Sequence, residues 1–128
     1  MRGKCLFLVN TPYQLMIVIN LRKTEYANCE ADVVITDNIS NYRNLADSVR
    51  DAGVFENTIV YNIKKVYPDK NGVALARRLF GDNDIFDKSY DVYLFANLDH
   101  GASGIYRMLR KRNRHIKAIM FEDGYASY

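Results

Sequence analysis

Short apolar runs alternate with stretches of helical periodicity along the whole chain. Five runs are rich in β-branched or aromatic residues and are bounded by polar residues, which is typical of buried strands. These runs are Cys5–Val9, Asp32–Thr36, Thr58–Asn62, Asp91–Ala96 and Lys117–Phe121. Four stretches between them repeat apolar residues at helical spacing: Pro12–Lys23, Tyr42–Ala52, Val73–Phe80 and Ala102–Arg112. The pattern therefore predicts the element order βαβαβαβαβ.

This alternation predicts the α/β fold class. Strands joined by helices of about ten residues pair in parallel, with right-handed crossovers that place helices on both faces of the sheet. We therefore expect a Rossmann-like, doubly wound domain with a mainly parallel five-stranded sheet. If the strand order is 3-2-1-4-5, it reverses between the first and fourth strands, which is where such sheets bind ligands.

Length and composition are those of one soluble domain. The chain has 128 residues, of which 48% are hydrophobic and 26% are charged, and it contains only two prolines. These values exclude disorder, collagen and coiled coil. We expect residues 1–128 to form a single domain, too small to hold a cleft between two domains.

Positive charge is concentrated near the end of the chain. Six of the 18 Lys and Arg, with no acidic residue among them, are Arg107, Arg110, Lys111, Arg112, Arg114 and Lys117. Without these six, the chain has 12 Lys and Arg and 15 Asp and Glu, which is a net charge of −3. Because cations favour helix ends and no aromatic residue interrupts the cluster, we interpret it as a solvated helix end. An anionic membrane surface is the second interpretation, and nucleic acid is not expected as a partner.

The cysteines and the apolar start of the chain indicate a cytoplasmic protein. Cys5 and Cys29 lie far apart in the sequence and in no cluster of metal-ligand spacing, which predicts reduced thiols and no metal site. Polar residues interrupt the apolar stretch Leu6–Leu21, so neither a signal peptide nor a membrane span is expected.

The loop after the first strand has the sequence of a helix start. Thr11 is the predicted N-cap, Pro12 takes the first helical position, and Gln14 would close a capping box. These roles need no ligand. Alternatively, this loop is a substrate-binding site formed by Asn10, Thr11, Pro12, Tyr13 and Gln14. The free N–H groups of the helix start would then bind an anionic or hydroxyl-rich substrate, with Tyr13 stacking on a sugar. The glycine motifs of dinucleotide and P-loop sites are absent.

Polar residues also follow the fourth and fifth strands. Asn97, Asp99 and His100 are candidates for substrate binding, although a histidine in a turn is most often simply solvated. Glu122-Asp123-Gly124 follows a wholly apolar strand end, where a low dielectric would raise the pKa of a carboxyl group. Such a group suits a general base for a sugar hydroxyl. Asp-Gly is also an ordinary turn signal, so spacing alone leaves both interpretations open.

Two segments carry a resemblance to a known family. The opening Phe7–Leu15, followed about a hundred residues later by Phe121–Tyr128, resembles the amino-terminal half of bacterial sialyltransferases. The resemblance is to glycosyltransferase family 52, the lipooligosaccharide and capsule enzymes, and to bacterial polysialyltransferases that share the acidic-acidic-glycine motif. It spans essentially the whole chain, with Glu122-Asp123-Gly124 as its only specific motif.

The resemblance implies one half of a GT-B enzyme, in which the active site lies between two Rossmann-like domains. The implied reaction is metal-independent, cofactor-free, inverting transfer of sialic acid from CMP-sialic acid to a glycan hydroxyl, in capsule or lipooligosaccharide synthesis. Asp123 would be the catalytic base, supported by Glu122, and Gly124 would border the substrate. The nucleotide-sugar domain, with its His-Pro motif, is not within these 128 residues, so we expect this polypeptide by itself to be inactive.

The same resemblance implies a glycan acceptor as partner. Peripheral attachment to the inner face of the cell membrane is a further expectation, beside the cytoplasmic location and the second interpretation of the basic cluster. A homo-oligomer is also expected, because one half of such an enzyme exposes the apolar face that its other domain would cover. Two alternatives remain open. One is a related family 52-like glycosyltransferase with a different nucleotide sugar, and the other is a non-catalytic Rossmann-like binding or interaction module.

Overall fold

A computed structural model describes residues 3–61, 88–96 and 100–121. The elements within these ranges are β1 (Lys4–Val9), α1 (Pro12–Lys23), β2 (Glu30–Thr36), α2 (Tyr42–Ala52), β3 (Asn57–Tyr61), β4 (Val92–Phe95), α3 (His100–Arg112) and β5 (Lys117–Met120). All five strands and three of the four helices are confirmed, with bounds within two residues of those predicted. The fourth predicted helix, Val73–Phe80, lies outside the described residues.

The five strands form one sheet in the order β3-β2-β1-β4-β5, and every pair of neighbours is parallel. This confirms the α/β, Rossmann-like prediction and its strand order. The chain moves outward from β1 to β3 on one side and from β4 to β5 on the other. The reversal therefore falls between β1 and β4, as expected.

Helices cover both faces of the sheet. Because side chains alternate along a strand, β1 contributes Phe7 to one face and Leu6 to the other. Phe7 lies in an apolar cluster with Leu15 of α1 and Val49 of α2. Leu6 lies in a second cluster with Ile105 of α3. The doubly wound arrangement is thus confirmed for the described elements.

Helix α2 shows where local signals succeed and where they fail. The sequence predicts a left-handed stop at Gly53, and this is confirmed: Gly53 ends the helix with φ 66°, the conformation that favours glycine. Helical spacing also predicts one apolar face formed by Leu45, Val49 and Ala52. This prediction is partly wrong, because Val49 is buried and Leu45 is half-buried, whereas Ala52 is exposed and Ala46 is buried instead.

Strand β5 is the outermost strand of the described sheet, and it is exposed along its length. Ile119 and Met120 are 36% and 59% exposed, and burial resumes only at Phe121. The prediction that the strand before Glu122 ends in a buried, low-dielectric region is therefore wrong for most of the length of β5. An edge strand has neighbours on one side only, so an apolar sequence there does not ensure burial.

The two cysteines, unrelated in the sequence, are neighbours in the fold. Residue 4 of β1 lies opposite residue 30 of β2, which brings Cys29 close enough to Cys5 to affect its pKa. Burial, followed by the hydrogen bond and charge of Cys29, raises the pKa of Cys5 to about 12. Both cysteines are free thiols.

The three described helices have at most 13 residues, and none of them is long and apolar enough to cross a membrane.

Candidate functional site

A hydrogen-bonded polar cluster lies at the carboxyl end of β1, beside the reversal of strand order. The Oδ1 of Asn10 accepts hydrogen bonds from the Thr36 hydroxyl at 2.8 Å and from Nδ2 of Asn38 at 3.3 Å. The backbone N–H of Asn38 donates to the Thr36 hydroxyl at 3.4 Å. Because both bonds to Asn10 end on its amide oxygen, its Nδ2 donors are left without a partner among the described residues.

The start of α1 holds the same asparagine from the other side. The Thr11 hydroxyl accepts the N–H of Gln14 at 3.0 Å, which confirms Thr11 as the N-cap and places Pro12 in the first turn. The Oε1 of Gln14 accepts the N–H of Asn10 at 2.8 Å, whereas a capping box would end on the N–H of Thr11. Gln14 is only 1% exposed and lies beneath the loop. Its side chain therefore holds Asn10, the residue before the N-cap, instead of the N-cap itself.

Tyr13 presents an aromatic ring at this loop. It is 52% exposed, and Met16, one turn later on the same side of α1, is 68% exposed. The backbone N–H of Tyr13 has no partner among the described residues. Amide donors from Asn10 and Tyr13 beside an open aromatic ring can bind the hydroxyl groups and apolar face of a sugar, or a small anion.

Asp37 follows β2 at this same edge of the sheet, and it is 7% exposed. Its N–H donates to the carbonyl of Tyr61 at 3.1 Å, which ties the ends of β2 and β3 together. Asp37 also makes a further contact within the protein. We therefore interpret it as an anchor of the edge and assign it no catalytic role.

Several predicted site residues fall outside the described residues: Asn97, Asp99, Glu122, Asp123 and Gly124. Only the backbone of His100 is described, as the first residue of α3. Phe121, the residue before Glu122, is described. Its N–H donates to the carbonyl of Phe95, the last residue of β4, at 3.0 Å. Strands β4 and β5 therefore end side by side. With strands about 4.8 Å apart, Glu122 follows a strand that lies about 10 Å from β1.

A second polar cluster, at the amino end of the sheet, was missed by the sequence analysis. Asp32 is 4% exposed and accepts hydrogen bonds from the Tyr90 hydroxyl at 2.6 Å, Nδ2 of Asn57 at 3.0 Å and Nζ of Lys88 at 3.2 Å. Burial, the hydrogen bond to Asp32 and its negative charge raise the pKa of Tyr90. In the sequence, this cluster could have been recognised from Asp32, an acidic residue within the otherwise apolar part of β2.

This cluster borders a cavity of about 170 Å³, whose other lining residues are Lys4, Glu30 and Glu56. Lys4 pairs with Glu30, and Glu56 pairs with Arg22. Since the charged groups are paired within the protein, we interpret the cavity as part of a structural brace. It also lies at the edge opposite to the one where parallel sheets bind ligands.

No group of three or more His, Cys, Asp or Glu side chains in the described part of the chain is arranged to hold a metal ion. Comparisons with protein-family models, with curated proteins and with solved structures found no match to this chain. The fold and the polar cluster at the carboxyl end of β1 are therefore the observations that bear on function.

Proposed function

We propose that this protein is the acceptor-side, amino-terminal domain of a GT-B sialyltransferase that acts on a capsule or lipooligosaccharide glycan. The observation that carries the proposal is the carboxyl edge of the sheet. There the loop of Asn10 and Tyr13 offers unpaired donors and an aromatic ring. In the sequence the acidic motif begins two residues after β5, whose carboxyl end lies two strands from β1 at the edge where a Rossmann-like sheet binds its ligand.

In the proposed reaction, Asp123 removes the proton of the acceptor hydroxyl as its oxygen attacks the anomeric carbon of sialic acid. The bond from that carbon to the CMP phosphate breaks with inversion, and the electron pair leaves with CMP. Glu122 supports the base, and Asn10 and Tyr13 orient the acceptor sugar. A second α/β domain would bind CMP-sialic acid, and a cytoplasmic position beside the membrane would give access to a lipid-linked acceptor.

One structural observation favours a second function, a Rossmann-like binding module without chemistry. Thr11 caps helix α1, and the side chain of Gln14 holds the backbone of Asn10, so both residues have structural roles that need no ligand. Under this alternative, the same edge binds a sugar or small anion and the acidic residues serve only as a turn.

The deciding experiment is a transfer assay on the product of the whole gene, with CMP-sialic acid and a panel of other nucleotide sugars as donors. We expect Asp123→Asn to abolish transfer while donor binding, measured by calorimetry, is unchanged. Glu122→Gln should lower kcat less severely. Asp51→Asn, an equivalent change of charge at an exposed position of α2, is the matched control and should be fully active.

The outcomes separate the candidates. Full activity of Asp123→Asn would refute its role as base, and transfer from another donor alone would select the related glycosyltransferase. Glycan binding without transfer from any donor would support the binding module. Within the loop, Tyr13→Ala should raise the acceptor KM at least several-fold, whereas Met16→Ala, the truncation of an even more exposed side chain one turn away, should not.

A further inference from the structure

The cations of α3 form one continuous face of the helix. Arg107, Arg110 and Lys111 are spaced by three and four residues, which places them on one side of the helix, and Arg114 follows in the turn after the helix ends. We call these four residues the basic face. All four are exposed, whereas the opposite side of α3 is buried against the sheet through Ile105 and its neighbours. The sheet therefore holds the basic face outward, toward solvent.

The positive charge of this face is not neutralised by any acidic residue that the structure describes. The sequence has no acidic residue between Asp99 and Glu122, and no ion pair joins the basic face to a described acidic residue. Elsewhere in the described chain, cations do pair with acids: Lys4 with Glu30, Arg22 with Glu56, Arg50 with Asp47, and Lys88 with Asp32. The contrast sets α3 apart from the other elements.

Helix capping does not account for the whole face. Cations stabilise a helix only within its last turn, which here includes Arg110 and Lys111. Arg107 lies before the last turn, and Arg114 lies beyond the end of the helix at Arg112. The helix dipole therefore does not account for Arg107 and Arg114.

The aromatic residues decide which anionic partner fits. Single-stranded nucleic acid is bound by cations together with exposed rings on which bases stack. Tyr106, the one aromatic residue of α3, is half-buried and stacks on Tyr93 with ring centroids 6.3 Å apart. A face of cations without exposed rings matches the headgroup layer of an anionic bilayer, which attracts clusters of four or more Lys and Arg.

We propose that the basic face of α3 is a docking surface for anionic lipid headgroups. The bilayer would lie along the side of the sheet covered by α3. The carboxyl edge of the sheet, where α3 begins, would then stand at the border of the membrane. The docking surface does not depend on the proposed transferase activity, because charge and exposure alone carry it.

The test is flotation of the purified chain with vesicles of phosphatidylcholine, with and without one third phosphatidylglycerol. The wild-type chain should bind only the anionic vesicles, and added salt should release it. The double variant Arg110→Gln/Lys111→Gln should bind about 30-fold more weakly, from about fivefold for each cation lost. Circular dichroism would verify that the variant is folded.

The matched control is Lys23→Gln/Arg43→Gln, which removes the same charge from exposed positions of α1 and α2 on the other face of the sheet. It should retain most of the binding. An equal loss in both variants would mean that net charge alone acts, and would overturn the proposal. So would absence of wild-type binding to anionic vesicles, or displacement of the chain from them by single-stranded RNA at low concentration.

Discussion

Replacing Tyr90 by Phe tests the buried brace at the amino end of the sheet. The change removes one hydroxyl and keeps the ring, so the packing of Tyr90 in the core is preserved. The lost hydrogen bond, 2.6 Å long and buried, ends on the side chain of Asp32. Hydrogen bonds to charged groups contribute about 1.5–3 kcal/mol. Because Lys88 and Asn57 still donate to Asp32, we expect Tyr90→Phe to lower the free energy of unfolding by about 2 kcal/mol.

The pH dependence of this loss is a sharper test. The pKa of Tyr90 is raised in the folded state, so the hydroxyl stays protonated there while the unfolded chain ionises near the ordinary value of about 10. The stabilisation by Tyr90 is therefore complete below pH 10 and is lost as the pH rises above it. At about pH 11 the loss is about 1.4 kcal/mol. The difference between wild type and Tyr90→Phe should shrink from about 2 to about 0.6 kcal/mol.

The assay is urea unfolding followed by circular dichroism, at neutral pH and near pH 11. The other ionisable groups are common to both proteins and cancel in the comparison. Tyr106→Phe is the control, because that residue is half-buried and stacks on Tyr93, and its hydroxyl makes no hydrogen bond to a residue that the structure describes. The Tyr106→Phe change should lower the free energy of unfolding by less than about 0.5 kcal/mol. Equal losses for the two variants, or a Tyr90 effect that is constant with pH, would refute the brace.

Three further predictions follow from single contacts. Thr11→Ala removes the N-cap acceptor of Gln14 and should lower the free energy of unfolding by about 1 kcal/mol in urea melts, whereas Thr11→Ser should recover it. Gly53→Ala forces a side chain into a left-handed conformation and should cost about 1–2 kcal/mol, and an equal or greater stability than wild type would contradict this. Titration of the native protein with a disulfide reagent near neutral pH should label Cys29 and not Cys5, because the pKa of the Cys5 thiol is raised to about 12. After unfolding, both thiols should react. Rapid labelling of two thiols in the native protein would contradict this.

Much of the candidate site was predictable because its signals are local. Thr11 and Pro12 mark the start of α1 within the sequence of one helical turn, and the polar residues after each strand follow from the strand bounds. The partners of Asn10 were not predictable, because Thr36 and Asn38 lie 26 and 28 residues away. Their hydrogen bonds depend on the register of two parallel strands, which no local pattern specifies.

The sequence by itself determined the order of elements, the start of α1 and the left-handed end of α2, since periodicity, capping and glycine act over a few residues. Only the tertiary structure decided the contact between Cys5 and Cys29, the brace around Asp32 and the exposure of β5. Parallel pairing joins residues that are distant in the chain, so the neighbours of a side chain are set by strand order and register. The apolar strand β1 is buried in the middle of the sheet, whereas the shorter apolar strand β5 is exposed at its edge.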